Sequence, residues 1–270
     1  MDLPTWRERM RRGLVTVPDD SPLAPDAEYR AGLTVHYRRE VADEPSLPAD
    51  VGLVHVDEHL VVADKPHFLP VVPSGSWVNE TLVARLAARL GRTDLVPLHR
   101  IDRLTAGLVL LSANAATRGR FQALFRERRI VKRYEAFAPP LPATALPCVL
   151  RHRLEPGEPF FRMRVTAGAP NAETSLDVLE RGARAWRYSL EPHTGRKHQL
   201  RVQMAALGAA ILGDPWYPEL QPRGADDFER PLQLLARELE FDDPLTGERR
   251  RFASARSLHL RAEPDQCRTG

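Results

Sequence analysis

The apolar positions fall into short blocks divided by proline and glycine, and most blocks carry the two-residue or unbroken pattern of strands. Leu53–Val56 and Leu60–Ala63 flank Asp57-Glu58 and predict a hairpin. Leu82, Leu86 and Leu90 recur at helical spacing, with Asn79 the expected cap and Gly91 the stop. Leu108–Leu111 is apolar at every position, the mark of a strand buried on both faces. A helix over 115–129 turns Phe121, Leu124 and Phe125 inward and Arg118, Arg120, Arg126 and Arg128 outward. Further strands are expected over 130–137, 148–154, 160–166, 173–180 and 185–191. A helix over 198–207 has Leu200, Met204 and Leu207 as its buried stripe, which turns Arg201 elsewhere. Leu239–Phe241 and Arg250–Ala253 pair around the turn DDPLTG. Adjacent strands with a few helices inserted predict an α+β fold, a mixed, mostly antiparallel β-sheet flanked by helices.

The first residues read differently. Trp6–Arg12 predicts a short basic helix ending at Gly13, followed by extended Leu14–Val17 and Leu33–Tyr37. Such a module is too thin for a large core of its own. The proline-rich EPSLPAD (44–50) reads as a linker. The expected organisation is a small N-terminal appendage over 1–47, a main domain over 48–262 and a tail over 263–270.

Composition narrows the class. At 270 residues, 43% hydrophobic and 28% charged, the chain has material for a packed core, and disorder throughout is excluded. No apolar run approaches the ~18 residues of a membrane span, and the N-terminus is charged, so a cytoplasmic protein with no membrane partner is expected. Two cysteines 119 positions apart, Cys148 and Cys267, argue against a disulfide scaffold or a cysteine-ligated zinc. His55 and His59 do not converge on a hairpin, so no metal is expected there. Without GxGxxG, GxxxxGK or HExxH, no nucleotide cofactor or zinc hydrolase is indicated. The formal charge is only +3, but 36 of the 39 basic residues are arginine, and Arg118–Lys132 holds a single acid, Glu127. That clustering tilts the helix towards a phosphate-facing surface.

Two segments carry candidate chemistry. In PLHRIDRLTAG (97–107) one carboxylate, Asp102, stands between Arg100 and Arg103 just before the buried strand. Either arginine would keep it an anionic nucleophile or base. In TGRKHQLR (194–201), Arg196, Lys197 and His198 gather at the start of a helix, where backbone N–H groups favour an anion.

HRIDRLTAG, VKRYEAF and GRKHQLRVQMAALGAAILGDPWY together resemble the successive motifs of RluA-like RNA pseudouridine synthases. Asp102 and Tyr134 lie 32 residues apart and Arg201 a further 67 along, as in that family. The resemblance runs over about 50–253 and implies the pseudouridine synthase fold. It also implies conversion of uridine to pseudouridine within RNA, with no cofactor and no metal. Asp102 matches the catalytic aspartate, by attack on the ribose or by removal of its 2′ proton. Tyr134 matches the tyrosine that stacks on the uracil or relays the C5 proton. Arg201 matches the arginine that pairs with the aspartate, and Arg100 the one that fills the space left by the flipped base. Arg103, Arg196, Lys197 and His198 are expected to hold RNA. The sequence departs from the family pattern at Ile101, Ala106, Lys197, Leu235 and Asp243, none of them a catalytic match. Residues 1–47 resemble part of an S4 RNA-binding module, and are either a degenerate RNA-touching arm or an extension packed on the main domain. Ribosomal RNA is the favoured substrate, with transfer RNA second, for a monomer. The competing readings are a non-catalytic RNA-binding or folding protein that retains the fold, and a hydrolase that would need a second carboxylate.

Overall fold

The computed structural model describes residues 2–37, 44–75, 77–222 and 224–259. The chain opens with α1 (Leu3–Arg11), where the Asp2 carboxylate accepts from Thr5 N–H at 3.0 Å and Pro4 occupies the first turn. β1 (Val15–Thr16) and β2 (His36–Tyr37) pair antiparallel, and Trp6 packs edge-on against Tyr37 with ring centres 5.3 Å apart. The helix starts three residues before the expected Trp6, and each strand is shorter than expected.

Residues 44–51 are not the free linker that their prolines suggest. The Glu44 carboxylate accepts from the N–H groups of Val78, Asn79 and Glu80, and Leu47 is buried. Arg85 donates to the carbonyls of Leu47 and Ala49, and Arg89 to that of Val51. Three backbone carbonyls thus find partners on the following helix, which makes the segment a strap on the main body.

In the main body β3 (Gly52–Val56) and β4 (Leu60–Lys65) form the expected hairpin, followed by α2 (Leu82–Leu90) and β5 (Val96–Pro97). Next come β6 (Ala106–Ser112), α3 (Arg118–Arg126) and β7 (Val131–Ala138). β8 (Cys148–Pro156), β9 (Met163–Thr166), β10 (Ala172–Arg181) and β11 (Trp186–Pro192) follow. α4 (Gln199–Ala206), β12 (Leu234–Asp242) and β13 (Arg249–Ala253) complete it. The strands join in the order β3-β4-β6-β12-β7-β11-β10-β8-β9, with β13 beside β12 and β5 beside β6. The β12–β6 pairing is parallel and the others are antiparallel. This is the mixed, mostly antiparallel sheet expected.

Alternation divides the core into two layers. Val61, Ala63, Val109, Leu111 and Ala136 face α2 and α4, whereas Leu60, Val62, Leu108, Leu110 and Leu239 face Phe121 and Leu124 of α3. β6 is buried along its whole length because it contributes to both.

Several local expectations need correction. Thr81, not Asn79, caps α2: its hydroxyl accepts from Ala84 N–H at 3.2 Å, while Gly91 ends the helix at φ 63° as expected. α3 is shorter than predicted, and Arg118 turns inward to Ser112 Oγ and the Asp94 carbonyl. β9 begins at Met163, because residues 157–162 close a tight hairpin tip through Gly157 N–H to the Arg162 carbonyl and Arg162 N–H to that of Pro159. α4 has no single buried stripe. Gln199 to Met204 are all buried, and Arg201 is among the most enclosed side chains at 1% exposure. Two polar residues anchor the helix: Gln199 donates to the Glu173 carbonyl and Thr174 Oγ1, and Gln203 accepts from that hydroxyl at 2.6 Å.

Candidate active site

The loop 98–105 is built by β6 and by the segment after β4. Leu110 N–H donates to His99 Nε2 at 3.1 Å, so the imidazole takes the place of a carbonyl in the ladder. Its ring stacks on Phe125 at 4.8 Å, and burial pushes its pKa down to about 3, which keeps it neutral. From the other side, Lys65 Nζ donates to the Pro66 and Arg103 carbonyls at 2.9 and 3.1 Å. His67 Nδ1 meets the Leu104 carbonyl at 2.6 Å. Lys65 is fully enclosed, and burial holds its pKa well below the ordinary lysine value, opposed by the charge of Asp102. Two successive carbonyls beyond Asp102 are therefore fixed by side chains 38 and 37 residues away in sequence.

Gly107 sets the spacing across the sheet. It sits at φ 109°, and a Cβ there would lie 2.3 Å from the Ala236 carbonyl oxygen. Because Ala236 pairs with both Gly107 and Tyr134, this close approach lines up Tyr134 of β7 with the end of the Asp102 loop. The Tyr134 pKa is raised, chiefly by burial and further by the Asp102 carboxylate, so the phenol keeps its proton.

Arg201 reaches the loop from α4. Its Nη1 donates to Asp102 Oδ2 at 3.2 Å, while Nε and Nη2 grip both oxygens of Asp214 at 2.8 and 2.7 Å. Asp214 also accepts from Trp216 and Tyr217 N–H. Gly213 before it is at φ 73°, with the Pro231 carbonyl where a Cβ would stand. The guanidinium lies over the rings of Trp216 and Tyr217, at 4.7 and 5.3 Å. Two carboxylates thus share one buried cation. Asp214 is fully enclosed and Asp102 is 29% exposed, so only Asp102 can meet a ligand.

His198 caps α4 in the left-handed conformation, φ 53°. Its Nδ1 is 2.9 Å from the Tyr217 hydroxyl, and its Nε2 is 3.9 Å from Asp102 Oδ1. Burial, only partly offset by Asp102, lowers its pKa to about 4. It enters the site as a neutral ring.

Asp102, Tyr134, Arg201 and His198 therefore gather, and Arg103 does not join them. Arg103 turns from Asp102 and forms a two-pronged pair with Asp226, both contacts 2.7 Å, between the rings of Phe68 and Trp77. Arg100 is exposed. The cluster Arg196-Lys197-His198 is not one anion site, because the first two are exposed while His198 is buried. The left-handed turn at His198 is what separates them. Sequence reasoning passed over Lys65, His67, His99 and Asp214 as site residues. Asp214 and His99 left a signal, standing inside the LGDPWY and HRIDRLTAG segments; Lys65 and His67 left none.

This fold has known counterparts. The structures of human RNA pseudouridylate synthase domain containing 4 and domain containing 1 superpose with TM-scores of 0.60 and 0.63, at 27% and 24% identity. They cover 77% and 78% of this chain, and 88% and 86% of their own. The family described as RNA pseudouridylate synthase matches residues 59–206. The dual-specificity RNA pseudouridine synthase RluA of Haemophilus influenzae is 32% identical over 215 residues, 77% of this chain and 94% of that protein. An uncharacterised RNA pseudouridine synthase of Synechocystis is 32% identical over 222 residues, 78% of this chain and 73% of its own. The chain belongs to the RNA pseudouridylate synthase family. It is an isomerase of the RluA-like kind, acting on uridine within RNA. Among the described residues no helix is long and apolar enough to cross a membrane.

Proposed function

We propose that Asp102 starts the isomerisation, Arg201 holds its carboxylate in place, and Tyr134 supports the uracil. The observation that carries this reading is the shared guanidinium. Arg201 is fixed by the buried Asp214 through two of its nitrogens and offers the third to Asp102. Opposite charges at ~4 Å with an effective dielectric of ~20 attract by about 4 kcal/mol before desolvation. Divided between two carboxylates, that attraction orients Asp102 and leaves it electron-rich.

The Asp102 carboxylate attacks C1′ or removes the ribose 2′ proton, and the N1–C1′ bond breaks with its electron pair going to the uracil. The ring turns in the pocket and C5 bonds to C1′ as the carboxylate leaves C1′ or the 2′ proton returns; the C5 proton then leaves and N1 takes one up. A protonated phenol is poorly placed to accept the C5 proton, so its raised pKa supports Tyr134 as a flat stacking surface. Lys65 and His67 are positioning residues for the loop. Arg100, Arg103, Arg196 and Lys197 serve the RNA backbone and bases, while neutral His198 contributes a ring. The 1–47 module, with four arginines in Arg7–Arg12, is a degenerate S4-like arm on RNA phosphates.

The substrate is ribosomal RNA in the first place and transfer RNA in the second, for a cytoplasmic monomer. The relative from Haemophilus influenzae is described as dual-specificity, which supports more than one RNA target. Incubating the protein with ribosomal and transfer RNA tritiated at uridine C5 tests this. Tritium release from ribosomal RNA, without free uracil, is expected. Release from transfer RNA alone would overturn the order, and free uracil would point to a hydrolase.

A further inference from the structure

A row of rings runs from the Arg201 pocket to the surface. His198 and Trp216 have ring centres 5.0 Å apart, Trp216 and Phe161 5.2 Å, and Phe161 and Phe160 5.7 Å. The row ends on Phe160, which is 86% exposed. Phe160 stands on the tip of the β8–β9 hairpin, and that tip is fastened to the pocket wall. Met163 N–H donates to the Tyr217 hydroxyl at 2.7 Å, the oxygen that also meets His198 Nδ1. Arg162 donates to the Pro218 carbonyl at 2.8 Å, and its guanidinium covers the Tyr217 ring at 5.0 Å.

A phenylalanine left in water gains nothing for the fold, and one held this firmly is pre-organised to receive a partner. The surroundings select which. Of the four arginines in 151–166, Arg151 and Arg153 pair with Glu173 and Glu155, while Arg164 is exposed, as are Arg196 and Lys197 before α4. Aromatic faces among cations suit an unpaired nucleic-acid strand, where phosphates meet the charge and bases stack on the rings.

We propose that Phe160, backed by Phe161 and Trp216, is a stacking platform for an unpaired base of the RNA strand beside the uridine held at Asp102. This rests on Asp102 marking the uridine pocket. Stacking accepts any base, so the platform adds affinity for an opened strand and leaves the choice of sequence to other contacts.

The test uses the full chain with Phe160→Ser and Phe160→Tyr. The probe is a fluorescein-labelled dodecamer of adenylate, compared by anisotropy with an abasic dodecamer of equal charge. Oligoadenylate contains no uridine, so its binding is independent of the chemistry at Asp102. Phe160→Ser is expected to bind it about tenfold more weakly, with an unchanged salt slope and unchanged affinity for the abasic chain. Phe160→Tyr restores binding. With RNA substrate, Phe160→Ser raises KM and leaves kcat unchanged. Equal oligoadenylate affinity in wild type and Phe160→Ser would overturn the platform, as would equal losses on both probes. A changed sedimentation coefficient with oligoadenylate binding intact would also overturn it, in favour of a protein-docking role. If Asp102→Asn abolishes neither tritium release nor probe binding, the catalytic reading fails while the platform stands.

Discussion

The two faces of the central sheet are both held by arginine–carboxylate pairs, yet the pairs do opposite work. On the outer face Arg133 meets Glu191, Glu238 and Glu240, Arg237 meets Glu135, and Arg251 meets Glu238. Arg133 keeps 38% of its side chain in solvent, and the cluster lines a shallow depression of about 550 Å³ with Leu179 and Ser189. On the inner face Arg201 and Asp214 are 1% and 0% exposed, and the same guanidinium reaches the part-exposed Asp102. Charge pairing by itself therefore marks no site. What distinguishes the inner cluster is a cation that water cannot compete for, shared between one carboxylate that is sealed and one that is open.

Breaking the inner pair should have the largest effect. Asp214→Asn leaves a buried guanidinium with half its partners, and a loss of about 3–5 kcal/mol in denaturant unfolding is expected. Tritium release should fall with it, because Arg201 loses its anchor.

Acid should loosen the surroundings of the Asp102 loop through three histidines. His67 and His198 have pKa values near 4 and His99 near 3, all lowered chiefly by burial from about 6.5. In the unfolded chain each takes up a proton at higher pH than in the folded one. Their stabilisation is therefore complete above about pH 6.5 and is lost as pH falls towards 4. At pH 5 the loss is about 2 kcal/mol per histidine. Urea titrations at pH 7.5 and 5 check this, and His99→Gln should flatten the dependence, since its carbonyl can still accept from Leu110 N–H.

Gly107→Ala should lower stability by about 1–3 kcal/mol, because its Cβ meets the Ala236 carbonyl in a conformation that alanine avoids. Tyr134→Phe should keep most of the single-turnover rate and Tyr134→Ala lose most of it. The reverse pattern, with phenylalanine as damaging as alanine, would restore the hydroxyl to the proton relay. The smallest effect belongs to the outer face: Arg133→Gln is expected to change stability by less than about 1 kcal/mol and to leave turnover unaltered.

The same contrast explains what the sequence made legible. Asp102, Tyr134 and Arg201 stand in motifs whose order and spacing point to one site. The hairpins and the buried strand β6 follow from alternation and from an unbroken apolar run, whereas the strand order, with β12 inserted between β6 and β7, has no signal in the pattern. The partners that hold Asp102 were not legible, because Lys65 and His67 act through backbone carbonyls and a buried lysine looks like any surface one in a string of letters. The α4 stripe misled for a related reason. A helix enclosed on every side has no polar face, so Gln199, Arg201 and Gln203 are internal fastenings. The sequence offers Arg100 or Arg103 to Asp102, but for Arg103 the carboxylate of Asp226, 123 residues away, supplies the two-pronged geometry that an adjacent carboxylate lacks.

The central claim is that the open carboxylate of the shared pair does the chemistry. Single-turnover tritium release by wild type and Asp102→Asn, each shown folded by its unfolding midpoint, tests it most directly. The account predicts no release above background from Asp102→Asn, with a midpoint close to wild type because Arg201 keeps Asp214. Release at the wild-type rate from a folded Asp102→Asn would contradict it.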